Sequence, residues 1–255
     1  MRRLETVSMS RTLQFEEFLK QERPRWPLRR VEYVMRDYFG EEPLDGACVL
    51  EIGSGMGVFC AWLACAGVRR VVGLEPELSG SHDGMLAAAQ RLFNLLDVRD
   101  VVELRPERLQ EYLLHATPGS FTHILMHNVI NHLDESATSQ LHDPTAEVAR
   151  RNYRQLLEGV YGLLQPDGLV IVSDCARRNF WSLLGLPSPF APSIQWGKHQ
   201  QPSVWAELFT TVGFKVTRIA WNVPWQLRIF RPLLGNQFGA YFLSSYFTLF
   251  AYRPK

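Results

Sequence analysis

Val49-Leu50-Glu51-Ile52-Gly53-Ser54-Gly55-Met56-Gly57 is the stretch on which the reading of this chain turns. Cys48 to Ile52 is a short apolar run with β-branched members, bounded upstream by Asp45-Gly46, and it reads as a buried parallel strand. Val58 to Ala66 follows as an apolar, alanine-rich stretch suited to a helix. Three alternate glycines between a strand and a helix let the backbone come very close to a ligand. The N–H groups at the start of the helix then face whatever is bound.

The glycine spacing discriminates between ligands. Gly53, Gly55 and Gly57 form G-x-G-x-G, whereas a dinucleotide fingerprint needs its third glycine one place later, where Val58 stands. A second apolar strand, Val71-Val72-Gly73-Leu74, ends at Glu75, 22 positions after Gly53. In isolation Glu75 is a solvated strand-end residue. One βαβ unit after a glycine turn, its carboxylate is placed to accept hydrogen bonds from a ribose diol. Two further elements follow in order. Phe121 to Leu133 is a strand that leaves its sheet at His127-Asn128 and enters a short helix. Leu163 to Val172 holds a helix end before Pro166, a turn at Asp167-Gly168 and another buried strand.

With Glu51 preceding the glycines, these four elements resemble the core of class I S-adenosylmethionine (SAM)-dependent methyltransferases, in their small-molecule branch (types 11 and 12). The resemblance covers roughly residues 45 to 175. It implies an α/β fold: a Rossmann-like, doubly wound, seven-stranded sheet, mostly parallel, with an antiparallel last strand, helices on both faces and an N-terminal helical cap. It implies SAM as cofactor and S-adenosylhomocysteine as product. The cofactor-binding positions it assigns are Glu51, Gly53, Ser54, Gly55, Gly57, Glu75, Pro76, Glu107, Arg108, His127 and Asn128, the last two beside the methionine part. It also places His132 where related enzymes carry a histidine near the transferred methyl. His132 is therefore the first candidate for a catalytic base, and His199 the second. Asp174 either orients a substrate or histidine or caps the next segment. The competing reading of His132 is a helix-start residue packed on the insert that follows the fifth strand.

Along the chain, residues 1–44 form the helical cap, with Leu13, Phe15, Phe18, Leu19, Val31, Val34, Met35 and Tyr38 at helical spacing around Pro24 and Pro27. Strands are expected near 48–52, 70–75, 101–105, 121–127 and 169–174, with helices near 58–66, 84–96, 107–115 and 145–164, an alternation that means a parallel sheet. Residues 45–174 are the cofactor-binding core. The proline-punctuated stretch 175–202, with Phe180, Trp181, Phe190 and Trp196, and a second insert at 220–241 lie on the substrate side. Ser203 is the expected N-cap of a helix to Thr211; 213–219 and 242–252 are the sixth and seventh strands. The segments 11–40 and 175–202 are expected to form a lid over the methyl donor. The whole chain, 1–255, reads as a single methyltransferase domain.

The bulk numbers narrow the partners. A chain of 255 residues, 46% hydrophobic, can bury a full core. Its 27 basic and 26 acidic residues argue against a broad nucleic-acid surface. Cys48, Cys60, Cys65 and Cys175 show no paired spacing, which suits a reducing cytoplasm. No secretory h-region and no membrane-spanning apolar run is visible. No His/Cys/Asp/Glu cluster has ligand spacing, and the metal positions of catechol-type enzymes read His127-Asn128 and Asp174-Cys175, so no metal is expected. His82, His115 and His142 read as surface residues and His123 as structural.

The expected activity is methyl transfer from SAM to a small-molecule acceptor, most readily a hydroxyl of a sugar, lipid-linked or secondary-metabolite substrate. The strand end at His127-Asn128 lacks the Pro-Pro-aromatic motif of enzymes that methylate a flipped base. Arg23, Arg25, Arg29 and Arg30 around Trp26 suit a substrate phosphate or carboxylate, although solvated helix faces explain them more cheaply. The alternatives are a non-catalytic scaffold or regulatory subunit of the same fold, or transfer to nitrogen or carbon. The chain reads as a monomer or a homodimer.

Overall fold

A computed structural model describes residues 2–40, 43–77 and 84–255. His82 and the cap positions Met1, Glu41 and Glu42 lie outside the described residues. Contacts divide the chain into two compact units, Met1–Glu107 and Arg108–Lys255.

In the first unit the elements are α1 (Arg2–Glu22), α2 (Leu28–Phe39), β1 (Cys48–Ile52), α3 (Val58–Cys65), β2 (Arg70–Leu74), α4 (Met85–Leu95) and β3 (Val102–Arg105). β2 lies between β1 and β3, parallel to both, with Cys48 opposite Arg70 and Val71 opposite Val102. The apolar runs explain this. Val49, Leu50, Val71 and Val72 have no exposed surface, as central parallel strands require. α1 ends before Pro24, and Pro27 enters α2 in the extended conformation that precedes a helix. α1 packs on α4 and α2, and α2 on α3. Phe15, Phe18, Leu19, Val31, Met35 and Tyr38 are the stripe so buried.

Glu51 is the one acidic side chain within β1, and it is buried. The Cys60 thiol donates to its Oε2 at 2.9 Å. Loss of solvent pushes its pKa up to about 8; the Cys60 hydrogen bonds oppose this, and the charge of Glu75 adds to it. At neutral pH the group is a neutral carboxylic acid.

In the second unit come α5 (Leu109–Tyr112), β4 (Phe121–His127), α6 (Glu135–Gln140), α7 (Glu147–Leu163), β5 (Leu164–Cys175), α8 (Phe180–Leu183), α9 (Pro202–Val212), β6 (Lys215–Trp221), α10 (Arg231–Leu234), α11 (Gln237–Phe242) and β7 (Tyr246–Tyr252). Short 3₁₀ turns cover Ile130–His132, Trp196–Lys198 and Trp225–Phe230. β4 and β5 are parallel, while β7 runs antiparallel to both β5 and β6. β6 therefore points the same way as β5. The core of this unit centres on Trp205 and Tyr153, fully buried with ring centroids 5.1 Å apart. The strand order is β3-β2-β1-β4-β5-β7-β6, a seven-stranded, mostly parallel sheet whose last strand in sequence is antiparallel.

Three local expectations are corrected. β5 begins at Leu164, not near 169, because Leu164 already pairs with Phe121; the Asp167-Gly168 turn is a kink inside the strand, with Asp167 at φ 62°. The N-cap of α9 is Gln201, not Ser203, since Pro202 occupies the first helical turn, where its missing N–H costs nothing. β7 starts at Tyr246, not 242: the Asn236 side chain accepts the Gly239 N–H at 3.0 Å and caps α11, which takes up Phe242.

The buried carboxyl carries a test. Glu51 keeps its proton in the folded protein up to about pH 8 and loses it near 4.5 when unfolded. The folded state therefore binds the extra proton, and stability is lost as pH rises from about 4.5 to about 8, on the order of 5 kcal/mol in all. Glu51→Gln keeps the shape and has no proton to lose. Melting temperatures followed across this window should fall in the wild type relative to the variant; parallel curves would mean that Glu51 ionises normally.

Candidate active site

The loop after β1 is shaped by backbone that only glycine adopts readily. Gly53, Gly55 and Gly57 have φ of 72°, 53° and 66°. The Gly53 and Ser54 N–H groups both donate to Leu74 O at 2.9 Å, and Gly57 N–H donates to Ser54 O at 2.8 Å. A Cβ at Gly57 would in addition run into the Phe93 ring. Glu75, one residue past β2, accepts the Gly55 N–H through Oε2 at 2.7 Å. Turn and carboxylate, matched in the sequence only by spacing, are in direct contact. A carboxylate accepts at both oxygens, so one N–H leaves capacity for a diol.

The neighbouring positions fall into place around the turn. Ser54 Oγ is buried and has no hydrogen-bond partner, beside Gly73, where a built Cβ would come within 2.9 Å of it. Arg23 Nε donates to Met56 Sδ at 3.1 Å, and the Trp26 ring meets Phe59 edge-on at 5.9 Å. The link between α1 and α2 thus lies against the glycine turn. Pro76 is half-buried after Glu75. Glu51 stands behind the turn on Cys60. Glu107 lies 3.9 Å from Arg105, away from these contacts. The glycine cradle, the orphaned Ser54 hydroxyl and the placed carboxylate fit a ribose-bearing cofactor such as SAM.

In the second unit, Arg108 is exposed, and its N–H donates to Glu111 Oε2 at 2.8 Å at the start of α5. Asn128, just past β4, sits at φ 55°, a conformation asparagine tolerates better than most residues. Its N–H donates to Ser173 O at 2.8 Å, its Nδ2 lies 3.1 Å from His127 Nε2, and its Oδ1 is buried without a partner.

The end of β5 brings two separated residues together. Asp174 has no exposed surface, and its Oδ1 lies 2.8 Å from His199 Nδ1. Its Oδ2 is buried and unpartnered. Carboxylate at Nδ1 selects the tautomer with the proton there and leaves Nε2 as an acceptor. The next residue anchors this segment: Gln200, also buried, donates through Nε2 to Thr138 O at 2.6 Å. Thr138 Oγ1 contacts the Tyr153 hydroxyl, which donates to Ile130 O at 2.8 Å. Burial pushes the Tyr153 phenol up, so it stays protonated. Asn131 Oδ1 and Gln200 Oε1 are likewise buried and unpartnered. Sequence reading missed Asn131, Thr138, Gln200 and Tyr153. Only their adjacency to His132 and His199 marks Asn131 and Gln200, and nothing local marks the others.

His132 is placed differently. Its side chain is half exposed and its Nδ1 lies 2.8 Å from Glu135 Oε1. Glu135 is also bonded to Lys198 Nζ at 2.8 Å, and the hydrogen bonds from Lys198 and then His132 hold its carboxyl below the usual range. His142 Nδ1 rests on Ser139 O at 2.9 Å, His115 stacks edge-on with Tyr112, and burial lowers the pKa of His123. Among the described residues, no three His, Cys, Asp or Glu are grouped to hold a metal ion.

Comparison with known proteins agrees with the fold. A chain described as a SAM-dependent methyltransferase from Listeria monocytogenes superposes with a TM-score of 0.58 at 14% identity, over 84% of this chain and 93% of that one. A SAM-dependent methyltransferase from Aquifex aeolicus gives 0.56 at 14% identity, over 87% and 88%. Identities this low carry the fold alone. No curated protein matches the chain. Residues 22–219, however, match the family described as the methyltransferase domain. With that match spanning most of its length, the chain belongs to the methyltransferase-domain family, as a class I enzyme that uses SAM as its methyl donor.

Proposed function

We propose that the protein methylates a hydroxyl of a small-molecule acceptor and that His199, oriented by Asp174, is the base. The observation that carries this is the contact of His199 Nδ1 with a carboxylate from which water is excluded. An unpaired buried carboxylate is costly, and a second oxygen left unpartnered makes it more so. A site that keeps such a group holds the imidazole in one orientation. Bound SAM supplies a methyl group activated by its sulfonium. What remains for the chain is to hold the acceptor in line, exclude water and take the hydroxyl proton at His199 Nε2. His132, tied to Glu135 and half solvated, serves as a positioning residue through the Glu135–Lys198 contact, next to His199 in sequence.

In the first unit, Gly53, Ser54, Gly55 and Gly57 hold the cofactor's backbone-facing side and Glu75 takes the ribose diol. In the second unit, His127 and Asn128 remain the positions that the family resemblance assigns to the methionine part. Pro76, Glu107 and Arg108 are outer members of the set, and Glu51 acts from behind by supporting the turn. The helical cap and the inserts 175–202 and 220–241 belong to the acceptor side. Free cysteines throughout suit a cytoplasmic enzyme. The scaffold alternative predicts cofactor binding without turnover, and transfer to nitrogen or carbon predicts turnover that does not need His199.

Calorimetry should show micromolar binding of SAM and S-adenosylhomocysteine and none of NADH. Glu75→Ala should weaken SAM binding by about 1.5–3 kcal/mol with the fold intact by circular dichroism. An unchanged dissociation constant would return Glu75 to a purely structural role in holding Gly55.

Turnover tests the base. With acceptors screened by radiolabelled methyl transfer, His199→Ala should lower kcat by roughly 10²–10⁴-fold and leave SAM affinity unchanged. Asp174→Asn should cost roughly 10–100-fold, and His132→Ala only a few-fold. Loss of turnover in His132→Ala with near-normal turnover in His199→Ala would reverse the assignment of base and positioning residue.

A further inference from the structure

Charge is distributed very unevenly along this chain. Residues 175–255 contain nine basic residues and one acidic residue, Glu207, whereas residues 1–174 contain 18 basic and 25 acidic. The near-neutral total hides a cationic C-terminal third. Such asymmetry points to an anionic surface as partner.

The fold gathers part of that charge at one end of the second unit. β5 and β6 run in the same direction, and both pair with β7, so Cys175 and Trp221 finish opposite Tyr246 and Phe247. Both inserts, 176–201 and 222–245, therefore leave from the carboxyl end of β5 and β6, the end that bears Asp174. Between them they carry Arg177, Arg178, Lys198, Arg228 and Arg231, and no carboxylate.

The same inserts expose large apolar side chains. Leu183, Ile229, Leu233 and Phe238 are each 73–75% exposed. They are one surface: α8 packs on α11, α11 on α10, and α10 on the turn 225–230. Phe242 meets Phe180 and Phe238 at ring distances of 5.3 and 5.1 Å, and Trp181 Nε1 donates to Phe242 O at 2.8 Å. Bulky apolar groups held out on short helices beside arginines are what a peripheral protein inserts among lipid headgroups. A nucleic-acid surface would not need the apolar chains, and among the described residues no helix is long and apolar enough to cross a membrane.

We propose that this end of the second unit docks on an anionic lipid bilayer, through Leu183, Ile229, Leu233 and Phe238 with Arg228 and Arg231. Resting on the methyltransferase reading above, this makes the acceptor a membrane-borne hydroxyl compound, presented at the end of the sheet that carries Asp174 and His199. Docking itself requires only the surface.

Flotation with vesicles of phosphatidylcholine alone, and with about 30 mol % phosphatidylglycerol, tests it on the full chain. The wild type should float with the anionic vesicles and stay behind with the zwitterionic ones. R228Q/R231Q should partition roughly thirtyfold more weakly, since each arginine near an anionic surface accounts for about fivefold. L233E/F238E should not float at all. Unchanged SAM affinity in each variant shows that it folds. A wild type that ignores anionic vesicles overturns the proposal. So does a variant pair that floats like the wild type, a dimer that L233E/F238E dissociates without any flotation, or salt-sensitive binding of tRNA in place of vesicles. SAM binding and methylation of a soluble acceptor without flotation would remove the docking and leave the methyltransferase reading standing. Flotation without SAM binding would do the reverse.

Discussion

The contact between the Gly55 N–H and the Glu75 carboxylate joins the ends of β1 and β2 into a single binding edge. A charge-assisted hydrogen bond of this kind is worth roughly twice a neutral one. It acts on a loop whose backbone sits in the left-handed region at three alternate positions, where any other residue would be strained. The loop is thereby held in shape before a ligand arrives. The packing of α3 and α4 depends on the same turn, because a Cβ at Gly57 would strike the Phe93 ring.

Two buried acidic side chains have different partners. Glu51, with a thiol as its hydrogen-bond partner, takes up a proton and becomes neutral. Asp174 has an imidazole beside it. A neutral acid is a structural element, good for filling a core and bonding to Cys60. The Asp174 side chain, 2.8 Å from His199 Nδ1, instead fixes the orientation of the ring.

The chemistry of methyl transfer asks little of the protein beyond alignment, dryness and a proton acceptor, so the fold is free to vary its inserts. Here the two inserts of the second unit are short helices and turns that expose apolar and basic side chains at one end. Fold alone does not select an acceptor, and superpositions at 14% identity leave that choice to these segments.

Local pattern was sufficient for the frame. The apolar runs at 48–52 and 70–74 have no other stable use than buried parallel strands, and alternate glycines after the first admit a left-handed turn that few sequences can make. The spacing of Glu75 followed from the length of one βαβ unit. Hence the glycine turn and its contact with Glu75 were legible from residues alone. Local pattern could not rank the histidines. His132 lies beside a recognisable strand end, but its ring meets Glu135, three residues away on the surface, whereas His199 meets a carboxylate 25 residues earlier in the chain. The pairing depends on how the insert folds back past β5, with Gln200 fixed to Thr138 across 62 positions. Burial likewise decides that Glu51 is neutral, because a side chain's solvation depends on what packs over it and has no trace in its neighbours along the chain. Non-local contacts of this kind come into being only when the sheet assembles, and so the pairing of His199 with Asp174 belonged to the tertiary structure.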